Sequence, residues 1–191
     1  MSHQGGKRNR GNQGFSLVEV LIVIALMFIV AAMAIFRIQG ALPGIRASAA
    51  MNQVMAIVRS GRELSIAHRR NIQLVFVGNN QIQLQRIDLP LGAGTTLLQQ
   101  MIFENNVEFV IMPGVNDTPD GFGNASALDF GGSPTLMWLS DGTFVDANGQ
   151  PLNGTMYFGL NGQIATQRAV TILGSTGRVR GYKWTGVAWV E

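Results

Sequence analysis

Side chains that could carry catalytic chemistry are few in this sequence of 191 residues. It contains no cysteine and two histidines, His3 and His68. Thiol nucleophiles, zinc knuckles and iron–sulfur clusters are therefore excluded, and little is left for a histidine-built metal site or triad. The sequence has no P-loop and no G-x-S-x-G motif. We therefore expect a protein that is not an enzyme and has no cofactor, no bound metal and no small-molecule substrate.

Three carboxylates in one polar stretch are the remaining candidates for metal ligands. Asp117, Asp120 and Asp129 lie within residues 115–134, which are rich in Gly, Asn, Asp, Ser and Pro. Calcium prefers oxygen ligands, but the spacing of these residues fits no EF-hand loop. A solvated loop is the favoured interpretation, with a calcium site as the alternative.

Basic residues near the C-terminus could bind phosphates. Residues 177–180 read Gly-Arg-Val-Arg, and a strand places Arg178 and Arg180 on the same side because alternate residues share a face. Two guanidinium groups about 6–7 Å apart can bind successive phosphates without reading the base sequence. Lys183 follows nearby, and Arg168 belongs to the same basic C-terminal segment.

Acidic protein surface is the alternative partner for these arginines. The charges form blocks: residues 37–86 sum to +6, residues 87–167 to −8 and residues 168–191 to +3. Arg178 and Arg180 could therefore form salt bridges with the acidic block, in the same subunit or in a neighbour. Because four basic side chains neutralise only a few phosphates, DNA binding would be weak and salt-sensitive. Both interpretations remain open at the level of sequence.

One acid, Glu19, lies inside the most apolar segment of the chain. Residues 20–36 contain no charged side chain. An acid inside a bilayer costs about 2.5–3.5 kcal/mol on insertion scales, so Glu19 needs a partner.

A membrane-spanning helix would position Glu19. Residues 1–14 are polar and basic and form a predicted leader, whereas residues 15–37 form the predicted transmembrane helix. About 22 helical residues span about 33 Å, which matches the hydrocarbon thickness of a bilayer. The basic leader should stay cytoplasmic, so the C-terminal bulk is translocated. A secretory signal peptide cleaved after Ala34 and an uncleaved anchor are the alternatives.

The rest of the chain predicts a helix followed by strands. Apolar residues recur at spacings of three and four, so residues 38–70 form the second half of the long helix, weakened or kinked near Gly40, Pro43 and Gly44. From Ile72 the apolar period is two, which predicts a β-rich head over residues 71–191. The predicted strands are 72–77, 81–87, 107–112, 127–130, 135–139, 154–160, 167–173, 179–184 and 186–190, and residues 95–101 are ambiguous. The fold class is α+β, with a long N-terminal helix packed on antiparallel sheets.

The N-terminal pattern resembles the class III signal of type IV prepilins and type II secretion pseudopilins. It combines a basic leader that ends in Gly14, the aromatic Phe15, the acid Glu19 and a long apolar helix. The resemblance implies that a prepilin peptidase cuts between Gly14 and Phe15 and methylates the new amine of Phe15. This amine would lie one helical turn from Glu19 on the same face. In a bundle of such helices, each Glu19 could then pair with the amine of a neighbouring subunit and fix the axial register. It also implies a single-pass protein of the bacterial inner membrane with a periplasmic head, which then enters a filament.

Later segments resemble the GspH/FimT family of minor pilins and minor pseudopilins. The segments that carry this resemblance are residues 41–43, 62–66, 139–143 and 175–180. It implies a pilin-like fold and a mechanical role in which the N-terminal helix assembles with other pilins, at or near the tip of a type IV pilus or a type II secretion pseudopilus. Residues 87–134 are longer and more acidic than the family pattern explains.

DNA uptake is the alternative main role that the same resemblance implies. Members of the GspH/FimT family that end in a G-R-x-R motif are linked to DNA uptake during natural transformation. DNA would then be a further partner, bound by Arg178, Arg180, Lys183 and Arg168.

Overall fold

The computed structural model describes residues 15–90 and 92–191. The chain divides into two units, residues 1–41 and residues 42–191, and one helix, α1 (Leu17–His68), has residues in both. In the first unit, the large apolar side chains of α1 from Leu17 to Ile35 are exposed. The helix is continuous through Gly40, Pro43 and Gly44, where the sequence predicts weakening. A single internal proline removes one backbone hydrogen bond, which a long helix can accommodate.

In the second unit, α1 buries one apolar stripe against the β-rich head. Its fully or almost fully buried residues recur at spacings of three and four, as the sequence predicts. They are Ala47, Ala50, Val54, Ile57 and Val58. Gly61 continues this stripe and allows the indole of Trp138 to approach the helix backbone closely.

Eleven strands follow α1 within the described residues. They are β1 (Ile72–Val77), β2 (Gln81–Ile87), β3 (Thr95–Ile102), β4 (Val107–Phe109), β5 (Leu128–Asp129), β6 (Met137–Trp138), β7 (Phe144–Val145), β8 (Gly154–Leu160), β9 (Arg168–Leu173), β10 (Arg178–Trp184) and β11 (Trp189–Val190). All their pairings are antiparallel.

The strands form two sheets. The first has the order β3-β2-β1-β6-β7, and the second has the order β11-β10-β9-β8-β4, with β5 also paired to β8. The predicted hairpin of β1 and β2 is confirmed, with Ile72 opposite Arg86 and Val77 opposite Gln81. The ambiguous residues 95–101 belong to β3, which pairs with β2 through a bulge. The main core contains the buried helix stripe and apolar residues from both sheets, so the α+β fold class is confirmed.

The predicted strand 107–112 is wrong beyond Phe109. The side chain of Gln167, which is fully buried, makes the hydrogen bonds that a neighbouring strand would otherwise make. Its Nε2 donates to the carbonyl oxygen of Val110 over 2.9 Å, and its Oε1 accepts from the amide of Met112 over 3.0 Å. The chain can therefore leave the sheet after Phe109 with its buried polar groups satisfied.

Candidate functional sites

The start of α1 places Glu19 in the first helical turn. The hydroxyl of Ser16 accepts a hydrogen bond from the amide of Val18 over 3.3 Å, which caps the helix. An acid in the first turn also interacts favourably with the positive end of the helix dipole. Glu19 is exposed, and within residues 15–90 and 92–191 no basic side chain forms an ion pair with it. Gly14, the predicted cleavage residue, lies outside the described residues.

The apolar part of α1 is long enough to cross a membrane. Among the described residues, this is the one helix that meets both the length and the composition required, and its apolar stretch lies near the N-terminus. Phe15, just before the helix, has 79% of its surface exposed. The segment thus offers a continuous apolar surface to a bilayer or to neighbouring helices.

Arg178 and Arg180 lie on one face of β10 and share a carboxylate. Nη1 of Arg180 lies 3.1 Å from Oδ1 of Asp120, and Nη2 of Arg178 lies 3.9 Å from the same atom. Asp120 also accepts hydrogen bonds from the hydroxyls of Thr171, over 2.6 Å, and Tyr182, over 3.0 Å. Its side chain is only 9% exposed. The arginine pair therefore meets an acid of its own subunit, which is one of the two alternatives that the sequence leaves open.

The Asp120 cluster also changes the protonation behaviour of its neighbours. A hydrogen bond to the hydroxyl of Tyr182, helped by the charges of Asp120 and Glu191, raises the pKa of Arg180. Burial raises the pKa of Tyr182, and its hydrogen bond to Asp120 acts in the same direction. Arg180 thus stays positively charged and Tyr182 stays neutral near pH 7. The Arg180 guanidinium can therefore pair with the Asp120 carboxylate, and the Tyr182 hydroxyl can donate its hydrogen bond to it.

Asp120 belongs to a segment that crosses the outer face of the second sheet, and we call residues 110–124 the strap. Asp117 accepts a hydrogen bond from the hydroxyl of Tyr157 in β8 over 3.2 Å. Asp120 contacts β9 and β10, and the carbonyl of Asn116 accepts from Nε1 of Trp189 in β11 over 2.8 Å. Part of the acidic stretch 87–134 therefore covers this sheet and pairs its basic residues.

Arg168 is not available to a nucleic acid, which corrects its predicted place among the DNA-binding residues. It is 1% exposed and faces α1. Nη2 of Arg168 donates to the carbonyl of Gly44 and to the hydroxyl of Ser48, both over 3.2 Å, and Nη1 donates to the carbonyls of Gln167 and Ala165. Burial lowers the pKa of Arg168. Its guanidinium serves to hold α1 against the second sheet.

Lys183 does not lie beside Arg178 and Arg180. In β10 it is three residues from Arg180, so the alternation of side chains places it on the opposite face. It pairs directly with Arg168 across the ladder and is exposed. The four predicted DNA contacts are thus divided between the two faces of one sheet.

Arg62 explains why two glycines occur in the later motifs. Its Nε donates to the carbonyl oxygen of Gly142 over 3.2 Å. A Cβ on Gly142 would lie 3.0 Å from this Nε, and a Cβ on Gly177 would lie 2.7 Å from it. Both glycines also have positive φ, of 84° and 65°. Residues 62–66, 139–143 and 175–180 therefore meet around one arginine side chain, which sequence reasoning did not identify.

The three candidate calcium ligands are bound to groups of the protein. Asp117 accepts from the amides of Thr118 and Gly123, and Asp129 accepts from the amide of Ala125. Asp120 is held by the cluster described above. Over the part of the chain that the structure describes, no group of three or more His, Cys, Asp or Glu side chains could hold a metal ion.

The N-terminal segment matches a known processing motif. Residues 9–35 match the family described as Prokaryotic N-terminal methylation motif. The resemblance of this segment to the N-terminal signal of type IV prepilins, based on Gly14, Phe15 and Glu19, is thus confirmed. No curated protein matches the chain.

Solved structures of one minor pseudopilin are similar to this chain. The first is a structure of the minor pseudopilin EpsH from the Type 2 Secretion System of Vibrio cholerae, with 15% identity and a TM-score of 0.47, covering 72% of this chain and 97% of that one. A crystal structure of the same protein has 13% identity and a TM-score of 0.49, and covers 78% of this chain and 97% of that one.

Proposed function

We propose that this chain is a minor subunit of a type IV pilus or of a type II secretion pseudopilus, of the GspH/FimT type. The observation that carries the proposal is the match of residues 9–35 to the N-terminal methylation motif. The long helix and the antiparallel sheets are consistent with such a subunit. Its role is mechanical, by assembly with other pilin-like subunits, and it is not an enzyme.

In this proposal, residues 15–37 hold the subunit in the bacterial inner membrane before assembly. The basic residues of the leader, Lys7, Arg8 and Arg10, keep the N-terminus cytoplasmic, so residues 42–191 face the periplasm. After cleavage the α-amine of Phe15 and the carboxylate of Glu19 lie one helical turn apart. Glu19 pairs with the Phe15 amine of a neighbouring subunit, since an unpaired charge at this depth is unfavourable.

The mass of the mature protein tests the processing step. Membrane-bound protein from the native host is expected to begin at Phe15 and to carry one N-terminal methyl group. The variant Gly14→Val should keep its leader because a small residue at the cut is replaced by a branched one, whereas Gly11→Val within the same leader should be processed normally. Protein that retains residues 1–14, or that begins after Ala34, would contradict the proposal.

DNA uptake is the alternative function, and the positions of the four predicted DNA-binding residues give it little support. Arg168 is buried, Lys183 lies on the other face of β10, and Arg180 is paired with Asp120 over 3.1 Å. A phosphate that approaches Arg178 and Arg180 would meet the carboxylate of Asp120 as well. The two arginines therefore serve to hold the strap against the second sheet.

A further inference from the structure

The edge of the first sheet is long and open. β3 is the longest described strand, with eight residues, and it pairs on one side only, with β2. Within the described residues, no other strand or loop backbone hydrogen-bonds to the outer edge of β3. An edge of this kind presents alternating N–H donors and C=O acceptors, which can pair with another extended chain.

β3 itself carries none of the charged side chains that usually prevent edge pairing, and the charged groups of Asp88 and Arg86 contact it at Thr96, near its start. Residues 89–103 contain no charged side chain. Leu97 and Ile102 are about half exposed, at 49% and 48%. Soluble proteins commonly protect a free edge strand from pairing with a lysine, a proline or a bulge. Of these three features, β3 has only the bulge opposite Leu84 and Gln85.

The outer face beside this edge is also uncharged. Gln81 lies opposite Ile102, Gln83 opposite Gln100, and Gln85 opposite Leu97. The amide groups of this face bind one another within the subunit, since Gln81 donates to Gln100 over 3.1 Å and Gln85 donates to Gln83 over 2.9 Å. Depletion of charge with a mixture of apolar and amide groups is typical of the centre of a protein interface. A polyanion or a charged lipid surface would instead need basic residues here.

We propose that the β3 edge binds an extended strand from the head of a neighbouring subunit in the filament, by strand addition. This inference rests on the proposed function, because the filament supplies the partner. An extended backbone can pair with the alternating donors and acceptors of β3 on either side of its bulge. Filament contacts join unlike surfaces of successive subunits, so the partner strand is not a second β3. Packed N-terminal helices raise the local concentration of the heads, so a weak edge contact is sufficient.

Cysteine labelling in the native host tests the contact, since the chain has no cysteine of its own. Leu97→Cys reports on β3, and Val190→Cys is the matched control because Val190 is 46% exposed on β11, the edge strand of the other sheet. Labelling by a bulky maleimide is compared between membrane-held subunits and purified filaments. Labelling of Leu97→Cys is expected to fall several-fold in the filament, and that of Val190→Cys to stay unchanged.

Each other outcome of the labelling experiment is decisive. Equal labelling of Leu97→Cys in the two fractions overturns the strand addition alone, and so does a disulfide-linked pair of Leu97→Cys copies. Absence of the wild-type chain from the filament fraction overturns the proposed function and the inference together. In addition, Leu97→Lys should reduce the amount of chain in filaments several-fold without lowering its melting temperature, whereas Val190→Lys should leave the amount unchanged.

Discussion

The carboxylate of Asp120 lies 3.1 Å from Nη1 of Arg180 and is almost buried between the strap and the second sheet. This one side chain joins the acidic segment of residues 87–167 to the basic C-terminal segment. It also satisfies the hydroxyls of Thr171 and Tyr182. The alternating charge blocks of the sequence are therefore explained, at this position, by a contact inside one subunit.

Removing this carboxylate should loosen the strap. Asp120→Ala leaves two hydroxyls and a guanidinium without their acceptor, and we expect a loss of about 1–3 kcal/mol in the free energy of unfolding. Glu104→Ala is the control, because Glu104 is exposed and belongs to the same acidic block. Urea denaturation of the full chain in detergent measures both variants. Equal stability of Asp120→Ala and wild type would show that the cluster does not stabilise the head.

Gly61 and Gly44 in α1 should respond to alanine in opposite directions. A Cβ at Gly61 would lie 2.9 Å from Cδ1 and Nε1 of Trp138, so Gly61→Ala should cost about 1–3 kcal/mol by overpacking. At Gly44 no atom lies within 4 Å of such a Cβ, and Gly44→Ala should stabilise the helix by about 0.5–1 kcal/mol. The melting temperatures of the two variants and of the wild-type protein measure these effects. A stabilised Gly61→Ala would contradict the close packing of Trp138 on the helix.

Both tyrosines of the chain should resist ionisation in the folded state. Burial raises the pKa of Tyr157, aided by Asp117, and burial also raises the pKa of Tyr182. An unfolded tyrosine ionises near pH 10, so stability should be fully present below pH of about 10 and should fall as the pH rises further. A titration of tyrosinate absorbance against pH measures the ionisation of both tyrosines in the folded protein, with urea-unfolded protein as the control. A tyrosine that titrates near its ordinary pKa in the folded protein would contradict the strap contacts.

Duplex DNA should not be retained by Arg178 and Arg180. Because Asp120 pairs with them, a gel-shift titration of the full chain in detergent should show no complex at physiological salt. The double variant Arg178→Ala with Arg180→Ala should match wild type in this assay and should instead lower the melting temperature. Salt-sensitive binding by wild type that disappears in the double variant would favour the DNA-uptake alternative.

The sequence predicts well those features whose cause is local. The buried stripe from Ala47 to Val58 follows from apolar residues at spacings of three and four. The hairpin of β1 and β2 follows from an apolar period of two. The link between Glu19 and prepilin-like proteins follows from a short motif that is contiguous in the chain.

Features that depend on distant segments could not be predicted in this way. Arg168 is buried because the carbonyl of Gly44 and the hydroxyl of Ser48, more than a hundred residues away, accept its hydrogen bonds. Asp120 meets Arg180 because the strap crosses four strands, and the path of a polar loop has no periodic signal. The charge blocks indicate that some acid pairs with the arginines, but they do not identify which one.

The amount of this chain in purified filaments tests the central claim, assembly through Glu19, most directly. Wild-type protein is expected in the filament fraction, and Glu19→Ala should remain in the membrane while its leader is still removed. Glu63→Ala, a substitution of an exposed acid of the same helix, should assemble like wild type. Normal assembly of Glu19→Ala, or a wild-type chain that never leaves the membrane fraction, would contradict the account.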